Sequence, residues 1–78
     1  MKEKKIYTRI KELREDKDLK QKDIGEILKI SQRGYAHYEL GDYDLTGEIL
    51  IKLANFYNTS TDYLLGLTNE TKPYKKKK

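Results

Sequence analysis

The chain has 78 residues, one proline and no cysteine, which leaves room for one core and excludes a disulfide framework or a thiolate zinc site. No apolar run approaches the ~20 residues of a membrane span, and the opening MKEKKIYTRI lacks the apolar centre of a secretion signal, so a soluble intracellular protein is expected. The net charge of +4 belongs to one end: Lys72, Lys75, Lys76, Lys77 and Lys78 supply five cations, and the remainder holds 12 basic and 13 acidic side chains.

A body so near neutrality can meet a polyanion only through a local patch. Residues 1–5 are charged and read as a flexible N-terminus. Ile6, Ile10 and Leu13 then recur at a helical period and predict a first helix over 6–16. Asp16-Lys17-Asp18 makes a polar connection, after which Leu19 tucks into the core.

From Lys20 to Gly41 the stretch KQKDIGEILKISQRGYAHYELG predicts two short helices joined by a tight turn. The first, Gln21 to Leu28, directs Ile24, Ile27 and Leu28 inward and leaves Gln21, Lys22 and Glu26 in water. Gly25 faces the same interior, where a missing side chain lets another helix come close. The run breaks at Lys29-Ile30-Ser31, and the Ser31 hydroxyl suits an N-cap. In the second helix Tyr35 and Tyr38 stand at i, i+3 on one face, while Gln32, Arg33, Ala36 and His37 lie on the other. Gly41 ends it. This is the layout of a helix-turn-helix, whose second helix enters the major groove of DNA.

Beyond the Gly41-Asp42-Tyr43-Asp44-Leu45 loop, Thr46 caps a fourth helix to about Tyr57, with Ile49, Leu50, Leu53, Ala54 and either Phe56 or Tyr57 as its apolar stripe. Asn58-Thr59 breaks it, and Ser60 caps a short fifth helix, Thr61 to Leu65, stopped by Gly66. Residues 69–78 read as a disordered Lys-rich tail. The expected architecture is all-α: five helices around one core, with the folded domain over 6–68.

Chemistry narrows the candidates. Arg33 can grip guanine O6 and N7 with both prongs of its guanidinium, or clamp a phosphate. Gln32 suits adenine or a phosphate. His37 is the lone histidine, without cysteine or a neighbouring carboxylate, so it is a poor metal or catalytic residue. It either donates to a base edge or phosphate, or is a plain surface side chain. Lys20 and Lys22 sit at a helix N-terminus that already favours anions and are expected at phosphates; Arg9 is a weaker candidate of that kind, and the Tyr43 hydroxyl another. Tyr35 and Tyr38 are read as packing residues, not stacking platforms for bases. Tyr63, Leu64 and Leu67 either close the core or meet a second copy of the chain. There is no nucleophile–base pair, metal cluster or glycine-rich phosphate loop, so no enzyme, metal or cofactor is expected.

Several fragments in order — RIKELRED at 9–16, Gln21, ISQ at 30–32, YELG at 38–41 and LIKLANFYNTSTDYLLG at 50–66 — resemble the phage-repressor (Cro/xenobiotic-response-element type) helix-turn-helix family. The resemblance runs from Ile6 to about Thr68. It implies a lambda-repressor-like fold and a cytoplasmic, bacterial or phage-encoded regulator of transcription, commonly a homodimer on a two-fold-symmetric operator in double-stranded DNA. It also implies residue roles: Gln21 on a phosphate, Gln32, Arg33, Ala36 and His37 facing bases, and Arg14 with Glu39 as a partly buried salt bridge between the first and third helices. An alternative is a protein-interaction module of the antitoxin kind.

Four positions depart from the family pattern. Lys20 replaces the usual small N-cap. Lys29 stands where the turn usually has glycine, so it must accept left-handed φ/ψ or a modified turn, at a cost of about 1 kcal/mol. Leu45 replaces a proline, and the acidic Asp42-Tyr43-Asp44 loop would repel the phosphates it is expected to approach.

Overall fold

The computed structural model describes residues 7–73, which form five α-helices: α1 (Thr8–Asp16), α2 (Gln21–Leu28), α3 (Gln32–Leu40), α4 (Gly47–Tyr57) and α5 (Thr61–Leu64). The first begins two residues later than the period of apolar residues suggested, and Ile6 lies outside the described residues. The last ends at Leu64, with Leu65 as its C-cap. α2 lies along α3, α1 touches α3 and α5, and α4 closes the bundle against α2 and α5.

Starts and stops of the helices follow from single side chains. Ser31, Thr46 and Ser60 each accept from the backbone N–H three residues on, at 2.9, 3.3 and 3.0 Å. This satisfies one of the four donors that open every helix. At α2, whose Lys20 has no acceptor on its side chain, the Asp23 carboxylate reaches back to the Lys20 N–H at 2.8 Å. The five stops share one device, in which a residue at positive φ turns the chain and the next N–H returns to the carbonyl five residues earlier. Asp18, Lys29, Gly41, Asn58 and Gly66 occupy the left-handed position. The returning bonds are Leu19 to Arg14, Ile30 to Gly25, Asp42 to His37, Thr59 to Ala54 and Leu67 to Asp62, all at 2.9–3.0 Å.

Among the described residues, nine buried hydrophobic side chains make the core: Ile10, Ile24, Leu28, Tyr35, Ile49, Leu53, Ala54, Tyr57 and Leu64. Leu13, Leu19, Ile30, Tyr38, Leu45 and Leu50 pack around them. Two assignments from the apolar pattern are corrected. Ile27 is exposed, because the buried arc of α2 is centred between Ile24, Leu28 and Gly25 and leaves Ile27 at its edge. On α4, Tyr57 fills the core and Phe56 stays at the surface, edge-on to the Tyr57 ring at 5.0 Å between centroids.

Candidate nucleic-acid interface

The closeness of α2 and α3 depends on Gly25. A Cβ there would stand 3.0 Å from the Ile30 carbonyl oxygen and 3.3 Å from the Gln32 nitrogen. Those atoms are backbone, so they cannot rotate aside. Lys29 makes the sharp turn between the helices at φ 60° and ψ 40°, conformational space that an L-residue enters at a cost.

Behind α3 lies a charged cluster. Arg14 donates from Nε to Glu39 Oε2 at 2.7 Å and from Nη2 to Oε1 at 3.1 Å, and its Nη1 reaches the Leu19 carbonyl at 2.8 Å. Gln21 Nε2 adds a bond to Glu39 Oε1 at 3.1 Å. The Glu39 side chain is only 3 % exposed. Burial alone pushes its pKa up, but hydrogen bonds from Arg14 and Gln21 and the nearby Tyr35 hydroxyl outweigh that and hold it below the usual glutamate range. Arg14 is raised in return, chiefly by its bond to Glu39. Burial, then its hydrogen bond to Glu39, pushes Tyr35 well above the ordinary tyrosine range, and burial with the Glu39 charge pushes Tyr57 up to about 12. The Tyr57 hydroxyl lies buried without a hydrogen-bond partner. Gln21 is therefore bound into this cluster and does not stand in open water as its place on α2 suggested. An ionised carboxylate only accepts, so the amide must present its nitrogen to Glu39.

The outer face of α3 is different. Gln32 and Arg33 are exposed in its first turn, and Ala36 and His37 follow one turn later, half-buried. Ser31 Oγ, fixed by the Gly34 N–H, would lie 3.2 Å from a Cβ at Gly34. His37 does have a neighbouring carboxylate, contrary to its reading as isolated: Nδ1 lies 3.0 Å from Asp42 Oδ2. The Tyr43 ring leans on the imidazole at 4.8 Å and meets Tyr38 edge-on at 5.4 Å. Lys20 and Lys22 are exposed at the start of α2.

Arg9 is placed elsewhere. Its guanidinium donates to the carbonyls of Tyr63, at 2.8 Å, and Thr68, and to Asn69 Oδ1 at 2.8 Å, and it covers the Tyr63 ring at 4.2 Å. Three of its five N–H donors are engaged inside the molecule, which ties Asn69 to the domain it was expected to leave and gives Arg9 a role in holding the fold. Contacts between residues 54–60 positions apart leave no local mark in a sequence. Leu64, a candidate dimer contact, is 1 % exposed and belongs to the core, whereas Leu67 is 72 % exposed and Tyr63 lies half-covered by Arg9. Lys75, Lys76, Lys77 and Lys78 lie outside the described residues. Among the described residues no cluster of histidine and carboxylates could hold a metal, and no helix is long and apolar enough to cross a membrane.

A helix-turn-helix family profile matches residues 10–64, which takes in all of α2 and α3. The HTH-type transcriptional regulator ImmR of Bacillus subtilis (strain 168) is 43% identical over 58 residues, covering 74% of this chain and 46% of that protein. The SPbeta prophage-derived uncharacterized HTH-type transcriptional regulator YonR of the same bacterium is 37% identical over 57 residues, 73% of this chain and 53% of its own length. A third relative there, the uncharacterized HTH-type transcriptional regulator YqaE, is 37% identical over 62 residues, 78% of this chain and 53% of its length. The chain thus spans about half the length of the curated relatives it matches. No solved structure matches it significantly. With the tight α2–turn–α3 pair held from behind by Arg14 and Glu39, and a profile match across most of its length, the chain belongs to the xenobiotic-response-element type of the helix-turn-helix family.

Proposed function

We propose that this chain is a sequence-specific binder of double-stranded DNA, a small transcriptional regulator acting as a repressor by occupying its operator. One observation carries the reading: Gln32, Arg33, Ala36 and His37 line the outer face of a helix whose inner face is fixed by Tyr35 and Glu39. α3 enters the major groove and reads four or five base pairs there, while Lys20, Lys22 and the Tyr43 hydroxyl take phosphates. The second amide hydrogen of Gln21 remains for a phosphate while the first holds Glu39. A homodimer doubles the site, and its subunits meet through exposed apolar residues, Leu67 among them, without Leu64. The names of the relatives, all transcriptional regulators, support the same reading.

A selection from random duplexes tests it. The expected product is a palindrome with half-sites about one helical turn apart, roughly 10 base pairs. A pool with no enrichment at low salt would overturn the reading. A protein-interaction module of the antitoxin kind is the second reading, favoured by the exposed Leu40 and Ile51. It expects a stable complex with a partner protein and no duplex shift in a gel.

A further inference from the structure

We propose that Asp42 determines which base His37 reads, by holding the ring proton on Nδ1 and leaving Nε2 as an acceptor that becomes a donor on protonation. This inference rests on the groove docking proposed above. The geometry that supports it is local. The turn at Gly41 brings the Asp42 N–H to the His37 carbonyl at 2.9 Å, so the two side chains leave neighbouring points of one closed loop. The Asp42 carboxylate then meets His37 Nδ1 at 3.0 Å. An ionised carboxylate offers only lone pairs, so the hydrogen of that bond must come from the ring. Neutral imidazole carries a single N–H. With Nδ1 protonated, Nε2 is left bare.

The ring is also held in place. Tyr43 lies across it at 4.8 Å, and Tyr38 braces Tyr43 from the helix. The side chain nevertheless keeps 35 % of its surface open. Among the described residues the charged and titratable groups placed around it are Asp42 and Tyr43 from the loop, with Tyr38 behind Tyr43 and, one turn earlier on the same face of α3, Arg33.

In the major groove cytosine presents only a donor, N4–H, and guanine only acceptors, N7 and O6. A bare Nε2 accepts from cytosine and repels guanine. Histidine changes charge near neutral pH. When a proton from solvent adds to Nε2, the ring keeps its bond to Asp42 as an ion pair, and Nε2–H donates to guanine. One position of each half-site therefore reverses its preference with pH.

Two measurements decide this. Nitrogen NMR of the free wild-type protein, followed through a pH series until the ring is neutral, is expected to show Nδ1 protonated and Nε2 bare, with that pattern lost in Asp42→Asn, whose amide offers either a donor or an acceptor. A spectrum with the proton on Nε2 overturns the proposal. Selection from random duplexes at about pH 5 and about pH 8 is then expected to move one position per half-site from cytosine to guanine. The relative preference should change by about tenfold in wild type, and not in Asp42→Asn or His37→Gln. Enrichment with the same base at both pH values overturns this inference alone, and no enrichment at either pH overturns the DNA-binding reading with it. Where Asp42→Asn fails to fold, the wild-type spectrum and wild-type selection still decide.

Discussion

Arg14 and Glu39, 25 positions apart in sequence, close a two-pronged ion pair at 2.7 and 3.1 Å, which fastens α1 to the inner face of α3. Both side chains are nearly out of water, at 12 and 3 % exposure. Removing one partner strands the other charge. Arg14→Ala should cost about 3–5 kcal/mol, as broken buried pairs do, and should also free the Leu19 carbonyl that Arg14 holds. Urea unfolding of the variant checks this. A loss under about 1 kcal/mol would mean that the pair behaves as a surface pair does.

Acid should act on the same pair. The folded pKa of Glu39 is lowered relative to its ordinary value, so folding favours the ionised form. Its contribution to stability is therefore complete above the ordinary glutamate range, and disappears as pH falls through the lowered folded value. Unfolding midpoints of wild type should decline across that acidic window, and those of Glu39→Gln should decline less steeply. Parallel declines would remove Glu39 from the account.

The turn between α2 and α3 holds a correctable strain. Lys29 occupies φ 60° as a side-chain-bearing residue. Lys29→Gly relieves the steric cost of that conformation, part of which returns as greater entropy of the unfolded chain. A net gain of about 0.5–1 kcal/mol is expected, read as a raised thermal midpoint. A lowered midpoint would show that the lysine contributes more than its backbone costs.

What the sequence disclosed and what it hid divide along one physical line. Ser31, Thr46 and Ser60 announce helix starts because a cap acts over three residues, and Ile24 with Leu28 mark a buried face because helical period is local. Ile27 misled because an apolar residue at the edge of a stripe looks the same as one at its centre until the neighbouring helix is in place. His37 and Asp42 were within reach. The five-residue return at a glycine stop brings those two positions together, so a reader tracking the stop would have paired them. Arg9 was not, since its partners are chiefly carbonyls at the far end of the chain, and no residue type betrays a carbonyl. Gln21 was half legible: its place at the head of α2 was visible, its bond to Glu39 was not.

Arg9 gives a test that separates holding the fold from touching DNA. Its bonds to Tyr63, Thr68 and Asn69 fasten the end of the chain to α1. Arg9→Ala should lower stability by about 1.5–3 kcal/mol, the range for hydrogen bonds to charged groups. It should leave the salt dependence of duplex binding as it was. A flatter slope with unchanged stability would assign Arg9 to the phosphates.

Lys22 and Arg33 should fail in opposite ways, and the contrast bears directly on how α3 docks. Lys22 is exposed at the start of α2, where amides and helix dipole already draw an anion. A phosphate contact releases counterions and is blind to sequence, so Lys22→Ala should weaken all duplexes alike and reduce the salt slope by about one unit. Arg33 sits in the first turn of α3 on the face away from Glu39. Two donors on guanine O6 and N7 discriminate one base, so Arg33→Ala should cost about 1–3 kcal/mol on the preferred site and relax choice at a single position. Titrations of both variants on selected and scrambled duplexes, across a salt series, distinguish these outcomes. A salt slope for Lys22→Ala equal to wild type removes the phosphate contact, and an unchanged base preference for Arg33→Ala removes the guanine contact.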